Sequence, residues 1–284
     1  MTWTLALAIL AMLLLAAEMF LVGQRLARLS RPRLYVLSAT VVAASVFGYL
    51  YFIKYSIWQV RLMPVADLIV WGDWLLPVAG LRAGLAWSAT WIPRWQKGVV
   101  LASLLAASVY CSFGWALRPL PQCHNLWQGD ICMQTTPSTC SAASAATLLR
   151  NYGIPASEAE MADLCLTRNN GTSLHGLYRG LSLKTQHMGF EVDPFHGDLH
   201  ELRRRTDRGP VLLRVSLTFD ADPEGWYTTE LGWKPGVAHT VVCYRFVDEE
   251  TVLIGDPVGG LEQWSLKDLA ILWHGTGIGL VAER

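Results

Sequence analysis

The sequence predicts an α-helical membrane region followed by an α+β domain in which one central helix packs on an antiparallel sheet. Three observations carry this reading. The chain is 52% hydrophobic and only 16% charged over 284 residues, which is too apolar for an ordinary water-soluble protein. Its formal net charge of zero conceals a split: residues 1–121 hold ten Lys/Arg against three Asp/Glu, whereas residues 122–284 hold thirteen against twenty. Finally, the long uninterrupted apolar runs fall in the basic front half, while the acidic back half alternates a small-residue helical stretch with strand-like runs bounded by polar turns. The length fits two units, and neither half shows the clustered basic face of a nucleic-acid binder.

The front unit, residues 1–117, is read as three or four transmembrane helices. Residues 3–22 form an apolar run interrupted only by Glu18, residues 34–53 a run without a charge, and residues 99–117 another; each is long enough to cross a bilayer. The first lacks the basic leader and small-residue cleavage pattern of a signal peptide and is expected to be retained. Residues 65–87 contain Asp67, Asp73, Pro77 and Arg82 and fit a span facing other helices, a re-entrant segment or an interfacial helix anchored by tryptophans. With four spans, the loop carrying Arg25, Arg28, Arg31 and Arg33 and the loop carrying Arg94 and Lys97 both lie inside. The C-terminal domain then lies outside the cytoplasm, on a multi-pass protein of the cell (inner) membrane. Glu18, Asp67 and Asp73 read either as a polar path or as charges tolerated near the interfaces.

Arg118-Pro119-Leu120-Pro121 forms a stiff linker to the second unit, residues 122–284. Here Gln134 stands six residues before Cys140, and Cys140 opens the run Ser141-Ala142-Ala143-Ser144-Ala145-Ala146. The run reads as a closely packed helix to about Asn151, ended by Gly153. A thiol at a helix N-terminus is poised to ionise, because free N–H groups and the helix dipole favour the thiolate. The Gln134 amide, with the Cys140 N–H, can face the oxyanion formed when that thiolate attacks a carbonyl. Ser157 and Glu160 make a capping box for a helix over 158–164. Helices are expected over 174–189 and 198–208, and a strand over 211–217. Ala238 to Val247 and Thr251 to Pro257 form a hairpin closed by Asp248-Glu249-Glu250. Antiparallel pairing puts Asp256, at the end of the second strand, beside His239, at the start of the first.

This constellation resembles the C39 family of papain-like cysteine peptidases: Gln134-x5-Cys140 ahead of a small-residue helix, a strand-initial His239, and a hairpin ending in Asp256-Pro257-Val258-Gly259-Gly260. The similarity extends to Gly171-Thr172-Ser173, Met188-Gly189-Phe190-Glu191, Gly209-Pro210-Val211-Leu212 and Trp264-Ser265-Leu266. The resemblance implies a papain-like fold and a thiol protease, a hydrolase that needs no cofactor and acts on a peptide or protein. Cys140 would be the nucleophile, His239 the base and acid, Asp256 the group that orients it, and Gln134 the oxyanion donor. Exporter-linked relatives cut after paired glycines, so cleavage after small residues such as Gly-Gly is implied here. Those relatives are fused ahead of an ATPase. This chain has no GxxxxGK[ST] loop, so no ATPase is expected in it, and the peptidase unit follows the membrane unit.

Residues 219–236, with Trp226, Tyr227 and Trp233, look like an insertion beside the cleft, and these aromatics are candidate substrate contacts. The His196-x3-His200 pair lacks the spacing of a metal site, and none is expected. Cys123 and Cys132 read equally as a disulfide or as separate thiols. Three other functions remain consistent with the residues: a non-hydrolytic peptide-binding module, a transpeptidase working through the same thioester in an export or surface-anchoring system, and a transporter or assembly factor whose peptidase is accessory.

Overall fold

Two stretches of the chain fold as separate units, Met1–Arg118 and Pro119–Arg284. The computed structural model describes residues 3–29, 44, 47–49, 56–90, 92–114 and 116–283.

The first unit contains helices α1 (Trp3–Leu29), α2 (Ile57–Leu62), α3 (Leu68–Trp71), α4 (Leu75–Ser88) and α5 (Arg94–Phe113). Small residues let α1 and α4 meet at their backbones. Gly80 and Gly84 of α4 face the main chain of Ala16 and Phe20, and Gly23 of α1 faces that of Leu81, with no room for a β-carbon at any of the three. The predicted segment 65–87 is broken between α3 and α4. There the buried Asp73 accepts a hydrogen bond from the Leu75 N–H at 3.2 Å, and Pro77 occupies the first turn of α4, where a missing N–H costs nothing. Asp73 is thus a helix-starting residue.

Two stretches among the described residues, Trp3–Ala27 and Leu68–Ser88, are long and apolar enough to cross a membrane. The predicted run 34–53 lies almost entirely outside the described residues. The run 99–117 falls in α5, which starts at Arg94 and ends at Phe113 and is not one of the two candidates. The count of three or four spans, and the extracytoplasmic side inferred from it, therefore rest on sequence alone.

The second unit is built on an antiparallel sheet in the order β3-β8-β4-β5-β6-β7. Its strands are β3 (Phe190–His196), β4 (Val211–Ser216), β5 (Ala238–Phe246), β6 (Thr251–Asp256), β7 (Gly260–Ser265) and β8 (Trp273–Ala282), preceded by a short ribbon of β1 (Leu126–Gln128) and β2 (Ile131–Met133). Alternation along β4 sorts its side chains: Val211, Leu213 and Val215 enter an apolar core with Phe195, Val241 and Ile254, so Leu212 and Arg214 point to the opposite face. That core is closed by Leu202 of α9 (Leu199–Thr206) and by Leu269 and Leu272 of α11 (Leu266–Leu272).

The other face carries α6 (Cys140–Asn151), buried from Cys140 through Leu149. Its alanines and serines let it lie flat on β5, and Gly153, at φ +73°, ends it as expected. Next come α7 (Glu158–Leu164), with Ser157 accepting from the Glu160 N–H, and α8 (Leu174–Thr185). The latter stops four residues before the predicted Gly189, because Gln186 is extended and His187 takes φ 66°. The predicted helix 198–208 is α9, shorter by its ends, with Asp198 as the N-cap. A single turn, α10 (Trp226–Thr229), lies in the segment between β4 and β5.

Candidate active site

Cys140 owes its position to the turn before it. The Thr136 N–H donates to Thr139 Oγ1 (3.2 Å) and the Thr139 hydroxyl returns a bond to the Thr136 carbonyl (3.0 Å). Closing this loop around Pro137 and Ser138 delivers Cys140 as the first residue of α6, where the helix N–H groups are free. The thiol is buried, at 9% exposure.

His239 is the second residue of β5, and α6 fixes that strand end directly. The Ser141 and Thr240 hydroxyls bond at 2.8 Å, and the Ser144 hydroxyl donates to the Thr240 carbonyl at 2.7 Å. Asp256 ends β6, the hairpin partner of β5, and its Oδ1 lies 3.0 Å from His239 Nε2. The same oxygen accepts from the Val258 N–H at 2.7 Å, which locks the carboxylate. With Nε2 directed to Asp256, the other ring nitrogen is left for the thiol of Cys140, which lines the same groove as His239.

The electrostatics follow from this alignment. Burial alone would raise the Cys140 pKa, but the hydrogen bond and charge of His239, with help from Thr240 and Ser141, bring it below the ordinary thiol value. Burial would likewise lower that of His239, yet hydrogen bonds to Asp256 and Cys140 hold it up at about 10. Asp256 is desolvated, but bonds to the imidazole and to backbone N–H groups keep it below the usual carboxylate range. All three shifts favour a thiolate beside an imidazolium beside a carboxylate. By contrast, burial pushes the thiols of Cys132, Cys165 and Cys243 up to about 12. Cys123 and Cys132 are free thiols, not a disulfide.

Gln134 lies in the same cleft as Cys140. Its side-chain amide donates one hydrogen to the Thr136 carbonyl at 3.1 Å, so the second N–H remains for another acceptor. Its backbone N–H is bonded to the Pro257 carbonyl at 2.8 Å, joining this segment to the end of the hairpin. Behind it sits Glu158, fully buried, whose carboxylate takes the Thr135 N–H at 2.7 Å and the Thr135 hydroxyl at 2.6 Å. In sequence Glu158 is only an acid in a helix's first turn, a place favoured by the dipole, and nothing marks it as the anchor of the Gln134 segment.

Two grooves meet at Cys140. One, of about 480 Å³, runs between the Asn169–Ser173 loop and β4. The other, of about 770 Å³, is lined by Gln134, His239 and the predicted aromatic insertion. Within the insertion the three aromatics differ. Trp233 stands edge-on to His239 (5.9 Å between centroids) and to Trp264 (6.0 Å), covering the imidazole. Trp226 is half exposed on the groove wall, whereas Tyr227 is buried with its hydroxyl bonded to Asp268 at 2.6 Å. Among the described residues no group of three or more His, Cys, Asp or Glu is placed to hold a metal ion.

Comparison with known proteins matches residues 129–283 to the model of the peptidase C39 family. Two uncharacterized proteins, from Methanothermobacter thermautotrophicus and Methanothermobacter marburgensis, are each 35% identical over 74 residues, or 26% of this chain; the chain spans about half the length (49%) of these curated relatives. Among solved structures, the peptidase domain of Streptococcus ComA, a bifunctional ABC transporter involved in a quorum sensing pathway, is 22% identical with a TM-score of 0.41, over 54% of this chain and 96% of that one. A double glycine motif protease from an AMS/PCAT transporter, in complex with the leader peptide, is 16% identical with a TM-score of 0.41, over 58% of this chain and 98% of that one.

Proposed function

The chain belongs to the peptidase C39 family, and from that membership and the alignment of Cys140, His239 and Asp256 we propose that it is a membrane-anchored cysteine peptidase whose residues 122–284 form the catalytic domain. The observation that carries the reading is the 3.0 Å contact of His239 with Asp256 in a groove whose lining also holds Cys140. A merely structural cysteine on this sheet, such as Cys243, has a raised pKa, while that of Cys140 is lowered.

In this mechanism the Cys140 thiolate attacks the scissile carbonyl carbon, and the electron pair of the C=O bond moves to oxygen. The free N–H of Gln134 and the Cys140 backbone N–H receive that oxyanion. The tetrahedral adduct collapses as His239 gives its proton to the departing amine, leaving a thioester. Water then attacks with His239 taking its proton, and a second collapse releases the acid and restores the thiolate. Asp256 holds the ring through both steps without itself gaining the proton.

The position of the imidazole supports a division of the substrate between the two grooves. The leaving amine must pass beside His239, so the groove containing His239, Trp226 and Trp233 takes the residues after the scissile bond. The groove along Asn169–Ser173 and β4 takes the residues before it. Small residues such as Gly-Gly at the bond suit an approach to a thiol this deeply set.

Anchoring is supported by the first unit, where α1 exposes Leu7, Leu10, Leu14 and Leu21, each at more than half of full exposure. Such an apolar surface is unfavourable in water and at ease in lipid. The substrate is accordingly read as a membrane-associated or secreted peptide or protein. The test uses the full-length protein in detergent: wild type should cleave Gly-Gly peptides and react at Cys140 with a thiol-directed inhibitor, and Cys140→Ala should do neither. Retained cleavage by a folded Cys140→Ala variant would refute the reading.

A further inference from the structure

We propose that Arg214 recognises a carboxylate in the substrate segment that precedes the scissile bond, making an acidic side chain there a determinant of specificity. The inference rests on the peptidase reading above and concerns a position that the sequence marks only as one arginine in an apolar strand.

Arg214 is opposite Thr240 in the β4–β5 register, and directly paired residues share a face. Thr240 is bonded to Ser141 on α6, so Arg214 lies on the cleft face of the sheet, in the row of side chains nearest Cys140. It lines the groove of about 480 Å³ that also contains Cys140 and Ser141. Desolvation lowers the Arg214 pKa, and the charge it senses in return is that of Cys140. Its side chain therefore shares one groove with the sulfur and is exposed to whatever enters it.

The contrast with the second groove sharpens the point. Apart from the Cys140 sulfur, Arg214 is the one charged residue in the lining of its groove, which is otherwise built of Ser, Thr, Asn, Gly and apolar side chains. Among the described residues it forms no ion pair, whereas Arg205, partly buried on the same domain, is paired with both Glu201 and Asp193. The groove on the leaving side carries three carboxylates, Asp256, Glu262 and Asp268, against Lys234 and His239. The cleft is thus polar along its length, cationic where the acyl segment lies. A guanidinium offers five donors in a fork that matches a carboxylate, and an unpaired one in a partly desolvated groove gains most from an anionic partner.

The experiment measures covalent capture of Cys140 by acetylated peptidyl vinyl sulfones ending in Gly-Gly, with Glu, Gln or Lys at each of the next positions toward the N-terminus. Full-length protein in detergent is used throughout. At one of these positions the Glu probe should label wild type about tenfold or more faster than the Gln probe, the usual worth of a charge-assisted hydrogen bond, with Lys slower than Gln. Arg214→Gln should bring the Glu-to-Gln ratio to about one, and Arg214→Glu should favour the Lys probe. Because a folding defect would slow all probes alike, the ratio isolates recognition. Equal labelling by Glu and Gln probes at every position in wild type, or a preference that persists in Arg214→Gln, would overturn the inference while leaving the peptidase reading intact. Failure of every probe to label Cys140 would instead strike the peptidase reading, and this inference with it.

Discussion

Ser141 and Thr240, each one residue beyond a member of the thiol–imidazole pair, share a hydrogen bond of 2.8 Å. Both are buried, and the bond joins the first turn of α6 to the head of β5 across a separation of 99 residues in sequence. The two elements are therefore pinned at the neighbours of Cys140 and His239, which sets the spacing between sulfur and ring.

Removing one hydroxyl leaves the other buried and unpaired, which typically costs about 1–3 kcal/mol, whereas removing both is less damaging than the sum. Ser141→Ala and Thr240→Val should each lower the stability of the C-terminal unit by about that amount, and the double variant should show a favourable coupling of about 1 kcal/mol. Thermal unfolding of the four proteins of the cycle checks this. The single variants should also label more slowly with a thiol-directed probe; strict additivity would deny the pin.

The pH dependence follows from the same pair. Activity should rise through the lowered pKa of Cys140 on the acid side and fall on the alkaline side near about 10, where His239 loses its proton. Asp256→Asn removes a partner that raises the imidazole, so the alkaline limb should move to lower pH, narrowing the profile. A profile of kcat/KM against pH for both proteins reads this directly. Stability carries a linked signature: His239, at about 10 in the fold and near 6.5 without it, contributes stability that is complete below about 6.5 and lost as pH rises to about 10.

Gly180 of α8 lies against Cys165, with no space for a β-carbon beside the Cys165 sulfur and backbone. Gly180→Ala should destabilise the C-terminal unit by about 1–3 kcal/mol, the usual cost of overpacking a filled interior. Gly98 of α5 is the contrast, since a β-carbon there meets nothing within 4 Å; Gly98→Ala should be neutral or mildly stabilising, as alanine is the better helix former. Melting temperatures of the two variants should move in different directions or by clearly different amounts.

The central features of the second unit were legible because each has a local signature. The hairpin of β5 and β6 announces itself by two apolar runs around Asp248-Glu249-Glu250, and its geometry places Asp256 by His239 without further information. The small-residue run after Cys140 predicts a closely packed helix, and α6 is one. Illegible were contacts made between distant segments by residues with an adequate local explanation. Ser141 and Ser144 pass as small packing residues, Glu158 as a helix-start charge, and Arg214 as a lone arginine in a strand; only the assembled sheet gives them partners or a groove. In the first unit, Asp73 and Pro77 were ambiguous because a charge and a proline inside an apolar run fit a span facing other helices, a re-entrant segment and an interfacial helix alike.

The strand order carries a consequence for how the molecule is made. β8, the final strand of this sheet in the sequence, sits between β3 and β4, so β3 has no neighbour in the sheet until residues Trp273–Ala282 have emerged from the ribosome. A nascent chain halted before that point already contains Cys140, His239 and Asp256, yet its β-layer is missing an inner member. The β-layer around the thiol is therefore completed only once Trp273–Ala282 are available, and a break in the chain before Trp273 would remove an interior element of the fold.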